Sequence, residues 1–247
     1  MSNSEITVDL ATKVLSTIDA GLVAGIGIPE PGKMCVEAAV CYAMGLPHSD
    51  RPTCVSDVVR SLKIKLNDSN WSSNEARTTG LRRLGVAQLG SAGVVADNEF
   101  ATRVSILAIQ KYVPIALRAA ASRIPSHATA LIEIAGLCSL NPSIENAKKA
   151  KAAAYAAAAY AAAADAADAA ADAAYAAAYA AYAAAAAAAY AYAADAAYAA
   201  AHAADAAYAA GGRRDAVLAE FGEDVVQILI EMKSPGSEFL YLTEETK

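Results

Sequence analysis

Between residues 152 and 210 the sequence holds no threonine, proline, glycine, leucine, isoleucine, valine or phenylalanine. Without glycine or proline, nothing local breaks a helix there. Phenylalanine and tryptophan are also scarce: the whole chain has 3 Phe and 1 Trp in 247 residues. The first residues carry neither a basic stretch nor an apolar run, so no secretory signal is expected. Residues 173–194 carry no charge, yet they consist only of Ala and Tyr. The residues that insert most favourably into a bilayer are missing, so no membrane span is expected. Few segments alternate with period two, so strands are not expected either.

Positive charge is in short supply in one half only. Residues 1–150 carry 15 Lys and Arg against 13 Asp and Glu, whereas residues 151–247 carry 5 against 13, giving the net charge of −6. An acidic C-terminal part has no general attraction to phosphates, so nucleic acid is an unfavoured partner. The 4 cysteines, Cys35, Cys41, Cys54 and Cys138, lie in apolar helical contexts and read as reduced thiols of a cytoplasmic protein.

What is present is helix. The composition predicts an all-α fold with three parts: a helical globular domain over residues 1–147, one very long alanine-rich helix over 148–210, and a C-terminal amphipathic helix and tail over 211–247. Alanine is the strongest helix former. An unbroken tract of this length predicts a single helix of about 60 residues, about 90 Å long.

Start and stop signals punctuate the N-terminal part. Ser4 or Thr7 caps a helix running to about Ala20, and a Gly-Pro-rich turn precedes a second over about 33–44. Ser56-Asp57 opens a third, and the capping box Ser72-Ser73-Asn74-Glu75 opens a fourth. Asp97-Asn98 starts a longer helix that Pro114 should kink or interrupt. Pro125-Ser126 starts another, and Asn141-Pro142 leads into the alanine tract.

Within the tract, Asp165, Asp168, Asp172, Tyr175, Tyr179 and Tyr182 fall at 3-4-3-4-3 spacing, a stripe with the coiled-coil period. Asp195, Tyr198, His202 and Asp205 repeat it, while Tyr155, Tyr160, Tyr190 and Tyr192 fit neither run. Either the stripe forms the buried seam, or alanine packs inside and the stripe faces water. The codons of Ala, Asp, Tyr and His differ by single steps, so repeat slippage is an alternative source of the pattern. A bare alanine helix exposes contiguous apolar area unless something covers it. The expectation is therefore a non-enzymatic structural or interaction protein that forms a homo-oligomer or filament through close packing of this helix. Tyr175, Tyr179, Tyr182, Ala184, Tyr190 and Tyr198 are its self-association residues.

Two other readings come from the N-terminal part. Glu37 stands alone in an apolar helix, where a carboxylate can act as a base. With Cys41 and His48 it defines a possible pocket for a small-molecule enzyme or sensor. Lys148, Lys149 and Lys151, with Arg60, Lys63, Lys65, Arg82 and Arg83, offer a basic surface for an anionic partner, and the Arg60–Arg83 segment suits a nucleic-acid or defence-related adaptor. The run GIGIPEPGKM fits most of a phosphate-loop pattern, but Pro29 and Pro31 have no N–H to offer a phosphate and Met34 replaces the magnesium-binding hydroxyl. Cys35, Cys41, His48 and Cys54 have zinc-ligand chemistry at the wrong spacing. Asp165, Asp168 and Asp172 on one helix face supply too few oxygens for a hard cation. No catalytic residue, metal or cofactor is expected.

The segments MCVEAAVCYAMGLPHSD, LKIKLNDSNWSS and LRRLGVAQLGS, with the alternation of Ala with Tyr and Asp, resemble a family of uncharacterised bacterial proteins with alanine-rich C-terminal tracts. The resemblance spans roughly residues 10–125 and the tract. It implies a bacterial origin, and no activity or site comes with it.

Overall fold

The computed structural model describes residues 6–161, 164–185 and 189–244; the side chains of residues 164, 184–185 and 189–192 also fall outside the description. Among the described residues the fold is helical, without strands. The chain forms two compact units, Met1–Phe100 with Ala219–Lys247, and Ala101–Leu218. These limits cut helices near residues 100 and 218 and do not follow the change of composition at residue 147.

The first unit begins with α1 (Val8–Asp19), capped by Thr7, whose hydroxyl accepts the Leu10 N–H at 3.2 Å. Its buried face is Ala11, Val14, Leu15 and Ile18. The glycine-rich segment then folds as a tight turn. The Ile28 N–H donates to the Lys33 carbonyl at 2.8 Å, and Gly27 has φ +70° with a Cβ position only 1.9 Å from that oxygen. No side chain fits there. The turn delivers Cys35 as the N-cap of α2 (Val36–Ala43), its sulfur accepting the Ala38 N–H at 3.4 Å.

Ser56 caps α3 (Asp57–Asn67) and Ser73 caps α4 (Asn74–Ala87). Each cap falls where a hydroxyl precedes an acidic first turn. Near the C-terminus, Pro235–Thr243 is a 3-10 segment tied to α4. There the Gly236 N–H donates to the Leu89 carbonyl at 2.7 Å and the Ser234 hydroxyl to Ala87 at 2.7 Å. Leu240 is buried, so the apolar end of the sequence docks on this unit.

At the unit limit, α5 (Asp97–Leu107) runs through a π turn, Ala108–Tyr112, into α6 (Val113–Arg123). The interruption expected at Pro114 takes this form: Pro114 has no N–H for the Gln110 carbonyl, and widening the preceding turn accommodates the gap. Residues Asp97–Arg123 are the one described helix long and apolar enough to cross a membrane, and 61% of its apolar 18-residue window is buried within the chain.

In the second unit, α7 (Ala128–Leu140) is followed by the alanine tract. The single helix of about 60 residues expected there is not formed. The tract is three helices of ordinary length: α8 (Ile144–Ala159), α9 (Ala164–Ala185) and α10 (Ala189–Ala209), of 16, 22 and 21 residues. Tyr155 of α8 meets Tyr175 of α9 while Lys151 meets Tyr182, so these helices run antiparallel. Tyr179 meets Tyr198 while Tyr175 meets His202, so α9 and α10 are antiparallel as well.

The physical reason is burial. Ala154 and Ala157, Ala169, Ala173, Ala176, Ala177 and Ala180, and Ala196, Ala200, Ala203 and Ala206 are all wholly buried. Each methyl taken from water contributes about 0.8 kcal/mol. Ending a helix loses a few backbone bonds that water largely replaces, at a net cost of about 1 kcal/mol each. Folding back wins. Alanine therefore lies inside and the Tyr/Asp stripe outside, with Asp165, Asp168, Tyr175 and Tyr182 exposed.

α11 (Arg214–Glu231) completes the helices, and its Phe221, Val225 and Leu229 are buried.

Candidate functional site

The first unit holds a buried charged cluster. Glu37 sits in the first turn of α2, Lys63 projects from α3, and Gln88 is the C-cap of α4. Lys63 Nζ stands 3.2 Å from Glu37 Oε1, and both side chains are 0% exposed. Gln88 Nε2 donates to Glu37 Oε2 at 3.4 Å. The Lys63–Glu37 approach is off the hydrogen-bond direction: neither Glu37 Oε1 nor Lys63 Nζ, nor Gln88 Oε1, has a directed hydrogen bond among the described residues. Burial pushes the Glu37 carboxyl up and the Lys63 ammonium down, and each partially restores the other's charge. Three thiols flank the pair. Burial raises Cys35 and Cys54, and burial followed by the Glu37 charge raises Cys41 to about 11. Burial thus leaves these thiols little thiolate character at neutral pH.

A cavity of about 40 Å³ opens beside Glu37, walled by Gly25, Ile26, Cys35, Val36, Asp50, Ile64, Asn67 and Asp68. Its residues come from the glycine turn, from α2, from the loop after α2 and from the end of α3. Of the three residues expected to share a pocket, Glu37 alone lines this one. Cys41 is buried in the same helix, while His48 is exposed with Nε2 3.1 Å from the Gly27 carbonyl. Lys63 was legible only as part of a basic surface. Its place opposite Glu37 depends on how α2 and α3 pack, which no spacing in the sequence encodes.

A larger open groove of about 690 Å³ lies between the end of α1 and the start of α4, lined by Asp19, Gly21, Asn74, Thr78 and Arg82 among others. Its cation is already engaged: Arg82 grips both oxygens of Asp19, at 2.6 and 3.0 Å. The neighbouring Arg83 pairs with Glu223 at 3.0 Å and lies 3.7 Å from Glu244. Arg60 lies between Asp57 and Asp50, at 3.3 and 3.8 Å. Of the basic surface expected for an anionic partner, these members face carboxylates.

In the second unit the aromatic residues form a continuous chain of rings across three helices. Tyr155 meets Tyr175 edge-on with centroids 6.4 Å apart. Tyr175 meets His202 at 5.2 Å, His202 stacks on Tyr179 at 5.5 Å, and Tyr179 stacks on Tyr198 at 5.0 Å. Lys151 Nζ lies over both Tyr155 and Tyr182, 5.7 and 5.8 Å from the centroids. Four of the expected self-association residues, Tyr175, Tyr179, Tyr182 and Tyr198, thus share one face; the side chains of Ala184 and Tyr190 lie outside the described residues.

Beside the rings, one oxygen or nitrogen each from Asp172, His202 and Asp205 lie within 4.8 Å of one another. The cluster is internally compensated, His202 Nδ1 standing 3.0 Å from Asp172 and Arg214 Nε 2.6 Å from Asp205. Asp165 and Asp168, expected with Asp172 on one acidic face, remain exposed and apart from it. The His202–Asp172 pairing joins positions thirty residues apart and is invisible until the tract folds back.

No family model, curated protein or solved structure matches the chain.

Proposed function

We propose that this is a non-enzymatic interaction protein that self-associates, using its alanine-rich helices as a rigid platform and the ring chain on their outer face as the contact. The observation that supports it is the unbroken aromatic face from Tyr155 to Tyr198, with Tyr175 and Tyr182 45% and 54% exposed. Tyrosines on rigid helices give large contact area at small entropic cost, and aromatic residues are enriched at the cores of interfaces. Lys151 lies over Tyr155 and Tyr182 while Asp165 and Asp168 are exposed on α9, so the alanine-rich helices carry both signs of charge. A two-fold arrangement can then set cation against carboxylate between copies.

The alanine faces pack within one chain. Self-association is therefore assigned to the tyrosines and not to alanine contacts between copies. Four buried, unpaired cysteines accord with a reducing compartment, and a cytoplasmic location is part of this reading. Sedimentation velocity at micromolar concentration tests it. The expected result is a dimer or larger assembly that Tyr175→Ser with Tyr182→Ser converts to monomer without changing the helical signal. A monomer at every concentration, or an assembly indifferent to both changes, overturns it.

A further inference from the structure

We infer that α9 pairs with α9 of a second copy of this chain in antiparallel register, about a two-fold axis between Ala173 and Ala174. This rests on the self-association reading and gives that contact its geometry.

Position comes first. α9 packs against α8, α10 and α6 through its alanines. Its six other residues are Asp165, Asp168 and Asp172 in the first half and Tyr175, Tyr179 and Tyr182 in the second, and none of them is buried. Their 3-4-3-4-3 spacing reads the same from either end. An antiparallel copy laid along this stripe therefore sets every residue opposite one of the other kind: Asp165 against Tyr182, Asp168 against Tyr179, and Asp172 against Tyr175. These are successive layers of a seam with the 3.5-residue period, and a two-fold axis makes each layer occur twice.

Shape and charge choose the direction. In the antiparallel seam every layer holds one short and one long side chain, so the helix axes keep a constant separation. A parallel seam would crowd tyrosine on tyrosine at one end and leave carboxylate facing carboxylate at the other, which is repulsive.

Hydrogen bonding points to a second copy. Among the described residues, the carboxylates of Asp165 and Asp168 and the hydroxyls of Tyr175, Tyr179 and Tyr182 take part in no hydrogen bond. A phenol O–H donating to a carboxylate is a strong, charge-assisted bond. One chain holds the donors and the acceptors at opposite halves of a straight helix, where they cannot meet; a reversed copy brings them together. Lys151 Nζ lies 5.8 Å from the centre of the Tyr182 ring, so Asp165 of the second copy meets an ammonium beside its phenol. Asp172 is already held by His202 at 3.0 Å, which leaves the two outer layers to carry the pairing.

Cross-linking with a short bismaleimide tests the register. Asp165→Cys and Tyr182→Cys chains are treated separately and as a mixture, with the parent, whose four cysteines are buried, as the blank. The mixture should give a cross-linked dimer and neither variant alone should, because like positions lie about 25 Å apart along an antiparallel pair. Sedimentation velocity supplies a second arm. Tyr182→Asp sets carboxylate against carboxylate and should weaken the dimer at least about tenfold, and adding Asp165→Tyr exchanges the two chemistries and should restore it to within about threefold. Cross-links within each variant and not in the mixture would mean a parallel pair. A dimer that cross-links in none of the three, or that the exchange fails to rescue, uses another face. These results overturn the register and leave self-association standing, whereas a monomer at every concentration removes both.

Discussion

Glu37 and Lys63 hold each other in place in a site neither would occupy alone. Two charges taken from water are stabilised only by mutual attraction and good hydrogen bonds, and here the direct bond is poorly directed. Removing one partner strands the other. Lys63→Met is expected to cost about 3–5 kcal/mol by urea unfolding, and Glu37→Gln added to it should recover most of that loss. The buried thiols give a separate handle on the same unit and on its neighbour. Cys41 and Cys138 are both raised from 9.0 to about 11, Cys41 by burial and then Glu37, Cys138 by burial. A raised acid contributes stability that is fully present below its unfolded value near 9.0 and is lost as pH rises through about 11. Across that window each thiol contributes a slope of about 1.4 kcal/mol per pH unit. Denaturant unfolding at stepped pH should therefore show Cys138→Ala with a shallower alkaline loss than the parent. An unchanged slope would mean the thiol is not buried as described.

At the level of elements, local chemistry was legible and packing was not. Thr7, Ser56 and Ser73 cap helices where hydroxyls precede acidic first turns. Pro114 leaves its mark as the π turn before it. These signals act within a few residues, so the sequence carries them openly. Gly211-Gly212 announce the end of α10, but no glycine or proline stands between α8 and α9 or between α9 and α10, because those ends arise from alanine faces burying one another. Propensity, at a few tenths of a kcal/mol per residue, favours one helix; burial favours three. Glu37 was legible as an isolated carboxylate, whereas its partner and the cavity wall depend on distant elements. Two substitutions test the packing. Ala177 is wholly buried, so Ala177→Leu should overpack the layer and cost about 1–3 kcal/mol, while exposed Tyr182→Ser should change stability by less than about 0.5 kcal/mol. A Cβ on Gly236 would stand 2.1 Å from the Val86 carbonyl oxygen. Gly236→Ala should therefore release the C-terminal 3-10 segment, seen as loss of amide protection at residues 234–243 with α8–α10 unaffected.

For the molecule as a whole, everything assigned to the alanine tract depends on its folding back, since a straight helix would not bring Tyr155, Tyr175, His202, Tyr179 and Tyr198 into one chain of rings. The most direct measurement is a pulsed electron-spin distance between labels at positions 155 and 202, in a chain without other reactive cysteines and diluted with unlabelled protein. Both native side chains contact Tyr175, at 6.4 and 5.2 Å between ring centroids. The account predicts a short distance, under about 25 Å even with flexible labels, since adjacent packed helices lie about 8–10 Å apart. A continuous helix would place the same positions about 70 Å apart at 1.5 Å per residue. A distribution centred near that value would contradict the folded-back platform and the aromatic face built on it.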